Sequence, residues 1–222
     1  MFALLMKRQT MNESRHIELN EAKWDKWAET ADGKGLKYDY LRSAQLNVIS
    51  MLEVRENMNF LDIGCGTGWA IGQAARLIDF KGSFYGVDLS KKMIEKAQEN
   101  FKENTNFHFI KANSESIPLD DNFFDIVICT NSFHHYLHPD KAMKEIFRLL
   151  KHGGRIYILD PAADFWIIKV VDKIIKLFEP GHVKIYSSEE FKNLMSEAGL
   201  KYIGNEEVRT REKVQIGEKQ VS

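Results

Sequence analysis

Residues 61–68, LDIGCGTG, constrain this chain more than any other stretch, because they set three glycines on alternate positions directly behind an acidic residue. The preceding MNFLDI is an apolar run of strand length, and WAIGQAARLI, from Trp69, spaces its apolar residues as one face of a helix does. The glycines therefore bridge a strand and a helix. Such a turn needs glycine because positive φ is open to it and because the missing side chain lets a ligand approach the backbone. A ligand there meets a helix N-terminus, where unpaired N–H groups and the helix dipole favour negative charge. Two phosphate readings fit poorly. No Gly-Lys-Ser or Gly-Lys-Thr ending follows, which excludes a P-loop, and the dinucleotide pattern G-x-G-x-x-G would want its third glycine at Trp69. Gly64, Gly66 and Gly68 are spaced G-x-G-x-G instead, behind Asp62.

The alternation of strand and helix continues down the chain. SFYGVD reads as a strand, and SKKMIEKAQENFK as a helix with Ser90 as its N-cap. FHFIK and FDIVICT follow as strands. PDKAMKEIFRLLK reads as a helix with Pro139 at its start and Gly153 at its end, leading into the strand RIYILD. SSEEFKNLMSEAGL is a capped helix ended by Gly199, and KYIGNEEV with EKVQIGEK can close the chain as a hairpin. Such alternation predicts an α/β fold with a mostly parallel sheet and helices on both faces.

Two segments lie outside this pattern. Residues 1–57 are polar and helix-prone and form an N-terminal helical lid or extension to a core at 58–222; a helical insertion falls at about 161–186. On a helical wheel the insertion's Asp164, Lys169, Asp172, Lys173 and Lys176 share one half, and nearly all its apolar residues share the other. A core-packing helix, a lid over a substrate pocket, a subunit contact and a membrane-surface helix all remain open.

Composition limits the function classes. The 222 residues suit one hydrophobic core, and 44% hydrophobic with 28% charged residues is ordinary for a soluble globular protein. Lys plus Arg (31) against Asp plus Glu (32) give a net charge of -1, so no general attraction to nucleic acid is expected. Cys65 and Cys129 form neither a disulfide nor a zinc spacing, which suits a reducing cytoplasm. FALLM near the start is too short for the apolar core of a signal peptide, and no membrane insertion is expected.

In an open parallel sheet, ligands sit beyond the carboxyl ends of the strands. After strand one come the glycines. After strand two comes Asp88, whose carboxylate can accept two hydrogen bonds from a ribose diol. After strand three comes ANSESIP, where Asn113 can accept from an exocyclic amine and the Ser114 N–H can meet a ring nitrogen; after strand four comes TNSFHH. Each has a duller reading, Asn113 as a turn residue and Gly64 as a tight bend among them.

With these motifs assembled, the chain resembles the class I S-adenosylmethionine-dependent methyltransferases, in particular the type 11 group. The resemblance runs from about residue 24 to about 219 and rests on LDIGCGTG, GVDLSKKMIEKA, ANSESIPLDDNFFDIVICTNSFHHY and LLKHGGRIYILDP. It implies a Rossmann-like sheet of seven strands ordered 3-2-1-4-5-7-6, with a C-terminal antiparallel hairpin. It also implies S-adenosylmethionine as cofactor, S-adenosylhomocysteine as product, and no metal. Carried over residue by residue, Asp62 would orient the amino-acid portion, the backbone at Gly64, Gly66 and Gly68 would contact it, and Asp88 would hold the ribose. Leu89 and Met93 would pack on adenine, Asn113 and Ser114 would read its edge, and Thr130 would lie near the sulfonium. Asn113 stands where the family commonly has Asp, which forgoes a charge-assisted bond, and His152 stands where proline is usual. His134 and His135 are candidates for a general base, and Trp27, Tyr38, Tyr40 and His182 for substrate contacts.

The expected reaction is attack on the sulfonium methyl by a small-molecule acceptor whose identity is not encoded in any motif. A protein or nucleic-acid acceptor, a non-catalytic cofactor-binding subunit and, more remotely, a nicotinamide oxidoreductase are the competing readings. TNSF lacks the Asn-Pro-Pro-Tyr type of motif associated with methylation of adenine or glutamine amino groups.

Overall fold

Apolar runs of five to seven residues make the centre of one sheet in a computed structural model of the chain. It describes residues 2–30, 36–55, 57–77, 82–164, 166–178, 181–209 and 211–221; the side chains of residues 2–12, 30, 36–38, 77, 169 and 177 lie outside that description. The strands are β1 (Asn59–Ile63), β2 (Ser83–Asp88), β3 (Phe107–Lys111), β4 (Phe124–Thr130), β5 (Leu150–Pro161), β6 (Lys201–Arg209) and β7 (Glu212–Glu218). They run in the order β3-β2-β1-β4-β5-β7-β6. β1 to β5 pair in parallel, while β7 lies antiparallel between β5 and β6. The expected fold, strand order and closing hairpin are all present.

The helices are α1 (Phe2–Thr30), α2 (Leu36–Ser50), α3 (Trp69–Leu77), α4 (Lys91–Asn100), α5 (Pro139–Leu149), α6 (Trp166–Phe178) and α7 (Ser188–Glu197). They explain why β1 and β4 are apolar on both faces. On one side Val48 and Ile49 of α2, Ile71 of α3 and Ile94 of α4 pack with Phe60 and Ile128. On the other, Met143 and Ile146 of α5 and Phe191 and Met195 of α7 pack with Leu61 and Val127. Local chemistry sets the helix starts. Ser90 caps α4 by accepting from the Met93 N–H, and Ser187 forms a capping box with Glu190 at α7.

Two local readings need correction. The helix from Pro139 stops at Leu149, where Leu150 turns extended to pair with Phe124, so Gly153 does not end the helix. Gly153 lies within β5 at φ +79° and donates its N–H to the Lys219 carbonyl. The insertion helix α6 is also turned differently from a core helix. Among its described side chains Ile168 and Asp172 are buried, whereas Trp166, Val170, Ile174 and Phe178 are 75%, 47%, 51% and 81% exposed. Asp172, placed on the polar half by periodicity, faces inward because it accepts from His182 Nε2 at 2.7 Å and the Ile185 N–H at 2.8 Å.

Candidate active site

The glycine turn after β1 owes its three glycines to different causes. Gly64, Gly66 and Gly68 hold φ of +79°, +54° and +79°, a region that strains other residues. A Cβ on Gly64 would fall 2.2 Å from Ser132 Oγ, and one on Gly68 2.9 Å from the Phe101 ring. On Gly66 it would meet nothing nearer than Met93 Sδ at 4.0 Å. Packing inside the protein therefore requires glycine at 64 and 68, and Gly66 is the member that offers bare backbone to a ligand.

Asp88 ties the end of β2 to this turn. Its Oδ2 accepts from the Gly66 N–H and its Oδ1 from the Ser90 N–H, both at 2.9 Å. Burial pushes its carboxyl up from the usual range, against the pull of those two N–H groups. Each oxygen keeps a further acceptor site for a diol.

Around these residues opens a cavity of about 370 Å³, a size suited to a small molecule. Of the residues expected at the cofactor, Gly64, Gly66, Asp88, Leu89, Met93, Asn113, Ser114 and Thr130 line it. Asp62 and Gly68 do not. Asp62 is 1% exposed at the end of β1; burial, reinforced by the Asp88 charge, pushes it up to about 8. Its Oδ1 has no hydrogen-bond partner among the described residues. Asn113 uses its Oδ1 to accept from the Glu115 N–H at 3.0 Å, closing a turn, while still facing the cavity. Thr130 Oγ1 accepts from Gln45 Nε2 at 2.9 Å.

At the end of β4 the chain enters a tight 3-10 turn, Phe133–His135, which aims two imidazoles at the cavity. Asp160, at the end of β5, holds His134 twice, accepting from its backbone N–H at 2.9 Å and from ring Nδ1 at 2.7 Å. A carboxylate can only accept, so Nδ1 carries the proton. His135 Nδ1 donates to the Gly181 carbonyl at 2.9 Å, and burial, with the neighbouring His134 and Lys23 charges, drives this imidazole down to about 2 and leaves it neutral. His182 does not line the cavity, yet its ring stands 5.6 Å from that of His134 and 6.2 Å from that of His135.

The substrate candidates separate. Trp27 lines the cavity, edge-on to Trp24 at 5.4 Å. Tyr40 points to the closing hairpin, donating to Glu212 Oε1 at 2.8 Å with the Arg209 guanidinium 4.1 Å above its ring. The Tyr38 side chain lies outside the described residues. Sequence reasoning missed His16, Asn20 and Trp24 of α1 and Gln45 of α2, all in the cavity wall. No local signal marks them, because they reach the site only when α1 and α2 pack over the strand ends. Asn131 was missed as well. Its φ of +53° directly after β4 is the kind of backbone strain that gathers at sites, and its Nδ2 is buried without a partner among the described residues.

A family model described as a methyltransferase domain matches residues 54–199. The chain is 32% identical to the methyltransferase YcgJ of Bacillus subtilis over 159 residues, 70% of this chain and 62% of that one. It is 27% identical to the ubiquinone/menaquinone biosynthesis C-methyltransferase UbiE of Vibrio parahaemolyticus, over 67% of this chain and 64% of that one. These matches span just under two thirds of each relative. In solved structures, YcgJ superposes with a TM-score of 0.67 at 29% identity, over 75% of this chain and 71% of that one. The methyltransferase bound to the Trm112 activator of Haloferax volcanii superposes at 0.78 over 91% and 98%, with 19% identity, a likeness of fold. The strand order, the glycine turn and the family match together make this chain a member of the S-adenosylmethionine-dependent methyltransferases of class I fold.

Proposed function

We propose that the chain transfers a methyl group from S-adenosylmethionine to a small-molecule acceptor. The observation that carries the reading is the turn at Gly66, the one glycine of the three whose Cβ side opens on the cavity, fixed in place by a carboxylate that also faces the cavity. The residues present suit the cofactor. Asp88 would take the ribose hydroxyls, Met93 and Leu89 the adenine faces, and Asn113 with the Ser114 N–H its edge. The Asp62 carboxyl beneath the turn, its Oδ1 without a partner among the described residues, would ionise more readily once the ammonium of the methionine end lay near it. Bound there, S-adenosylmethionine supplies a methyl already activated on a positive sulfur.

The protein's own work is then alignment and exclusion of water. Trp24, Trp27 and Asn20 of α1 roof the strand ends and Gln45 holds the Thr130 hydroxyl, so that the acceptor meets a walled cavity instead of bulk solvent. His134, its Nδ1 proton held by Asp160, lines the cavity with its ring fixed in one orientation. A small acceptor is favoured by the size of the cavity and by the absence of net positive charge. Among the described residues no helix is long and apolar enough to cross a membrane.

Calorimetry with S-adenosylhomocysteine tests the cofactor half, and labelled S-adenosylmethionine mixed with metabolite extracts tests the acceptor half. One equivalent should bind, Gly66→Val should abolish binding, and a labelled product of low mass should appear. A folded chain that binds nothing would end the reading, whereas binding without any labelled small molecule would leave a non-catalytic subunit or a macromolecular acceptor.

A further inference from the structure

Three histidines from two separate stretches of chain meet beside the cavity. His134 and His135 follow β4, and His182 follows α6. One ring nitrogen from each lies within 4.8 Å of the others. Every ring also donates through one nitrogen to an acceptor on the protein. His134 Nδ1 is held by Asp160 at 2.7 Å, His135 Nδ1 by the Gly181 carbonyl at 2.9 Å, and His182 Nε2 by Asp172 at 2.7 Å. Because carboxylates and carbonyls only accept, each of these nitrogens carries a proton, and in a neutral ring the second nitrogen is the unprotonated one, the atom type that ligates a metal. Two carboxylates and one carbonyl behind three imidazoles is the arrangement of outer contacts that orients histidines on a metal.

We propose that His134, His135 and His182 form a binding site for one divalent cation of the zinc class, facing the cavity where an acceptor would sit. Imidazole donors suit zinc and its first-row neighbours, and three such donors leave a fourth position for an exchangeable ligand, the donor count of catalytic zinc. Zinc–nitrogen bonds of about 2.1 Å set the nitrogens about 3.4 Å apart, so binding draws the three rings together by side-chain rotation. The buried Asp160 and the largely buried Asp172, 3% and 8% exposed, set negative charge directly behind the rings and offset the cation. His134 and His135 line the cavity and His182 adjoins them, which sets the site at the cavity wall.

The site stands on geometry alone; its purpose rests on the methyl-transfer reading. An acceptor hydroxyl bound to the cation through oxygen would release its proton to water more readily, and the oxygen lone pair would then be ready to form the new bond to carbon as the sulfur–carbon bond breaks.

The test is a titration of the chelator-treated full chain with Zn²⁺ by calorimetry and with Co²⁺ by visible absorption. One equivalent should bind, and Co²⁺ should give the intense visible bands of a four-coordinate nitrogen site. His182→Ala and His135→Ala should abolish saturable binding, and Asp172→Asn should weaken it about 10–100-fold by releasing His182. His108→Ala, on the exposed side of β3, should bind as the wild type does. S-adenosylhomocysteine binding, measured on every variant, reports whether the fold and the cofactor side are intact. Wild-type protein that takes up neither ion, or His182→Ala and His135→Ala variants that keep wild-type affinity, would overturn the site. Metal binding by a chain that fails to bind S-adenosylhomocysteine would keep the site and remove the purpose assigned to it.

Discussion

The two helical additions to the sheet, α1 and α6, invert what their compositions suggest. α1 is the polar one, yet it docks across the strand ends and walls the cavity. Its Asp25 accepts from Ser90 Oγ and the Lys92 N–H, Glu29 and Glu21 pair with Lys92 and Lys111, and Ala28 and Asn20 are buried beneath it. α6 is the apolar one, yet none of its described residues lines the cavity and it turns Trp166 and Phe178 to solvent, held by the buried Ile168 and by a buried polar anchor at Asp172. Hydrophobicity measures how much an element gains from burial; it does not say which neighbour has room and complementary groups. At this sheet the room over the strand ends went to the helix that could cap α4 and pair with its lysines.

The sharpest way to break the comparison uses the same residue type in both helices. Trp24→Ala, in the cavity wall against Trp27 and His135, should cost about 2–3 kcal/mol by denaturant unfolding, below the full cost of a core tryptophan because Trp24 is partly exposed. Trp166→Ala should stay within about 0.5 kcal/mol. Equal losses would mean that α6 is packed as tightly as α1.

Next in size is the polar docking of α1. Asp25→Ala removes the acceptor of Ser90 Oγ and of the Lys92 N–H at the start of α4. A loss of about 1.5 kcal/mol is expected, the low end for bonds to a charged group, together with weaker S-adenosylhomocysteine binding because Ser90 adjoins Asp88. Unchanged affinity would separate α1 from the cofactor side of the site.

The anchor of α6 should respond to acid. Burial pushes Asp172 up, but bonds from His182, the Ile185 N–H and Lys176 outweigh it and hold the carboxyl below its ordinary value. A depressed folded-state pKa gives stabilisation that is complete above the unfolded value of about 3.9 and is lost as pH falls through the lower folded value. Limited proteolysis at 166–178 should therefore be flat at about pH 5 and above, and should rise only below about pH 4. Release at a higher pH would show that Asp172 is not what holds the helix.

The smallest effect expected is in hydrogen exchange. S-adenosylhomocysteine should slow exchange a few-fold across 13–29 and leave 166–178 unchanged, since among the described residues α1 lines the cavity and α6 does not. Protection of both segments would restore α6 as part of the lid.

Much of this protein could be read from single stretches. Strand and helix existence, the Ser90 and Ser187 caps and the strand-end positions of Asp88, Asn113, Thr130 and His134 follow from periodicity and turn chemistry, which are properties of neighbours in sequence. What misled was also local: the double glycine near 153 reads as a helix stop, while the pairing of Leu150 with Phe124 ends the helix earlier.

Local sequence carried the α/β class, the glycine turn and the succession of strand-end residues, because in an open parallel sheet ligands sit beyond the carboxyl ends of the strands. Tertiary structure alone decided that Ser132 fills the space beside Gly64, that Asp62 is sealed under the turn, and that α1 and not α6 covers the site. It alone brought His182 to His134 and His135, with anchors supplied by Asp160, Asp172 and Gly181. The reason is physical: periodicity fixes which face of an element seeks burial, whereas the partner is chosen by shape, charge and hydrogen-bond acceptors brought from distant parts of the chain.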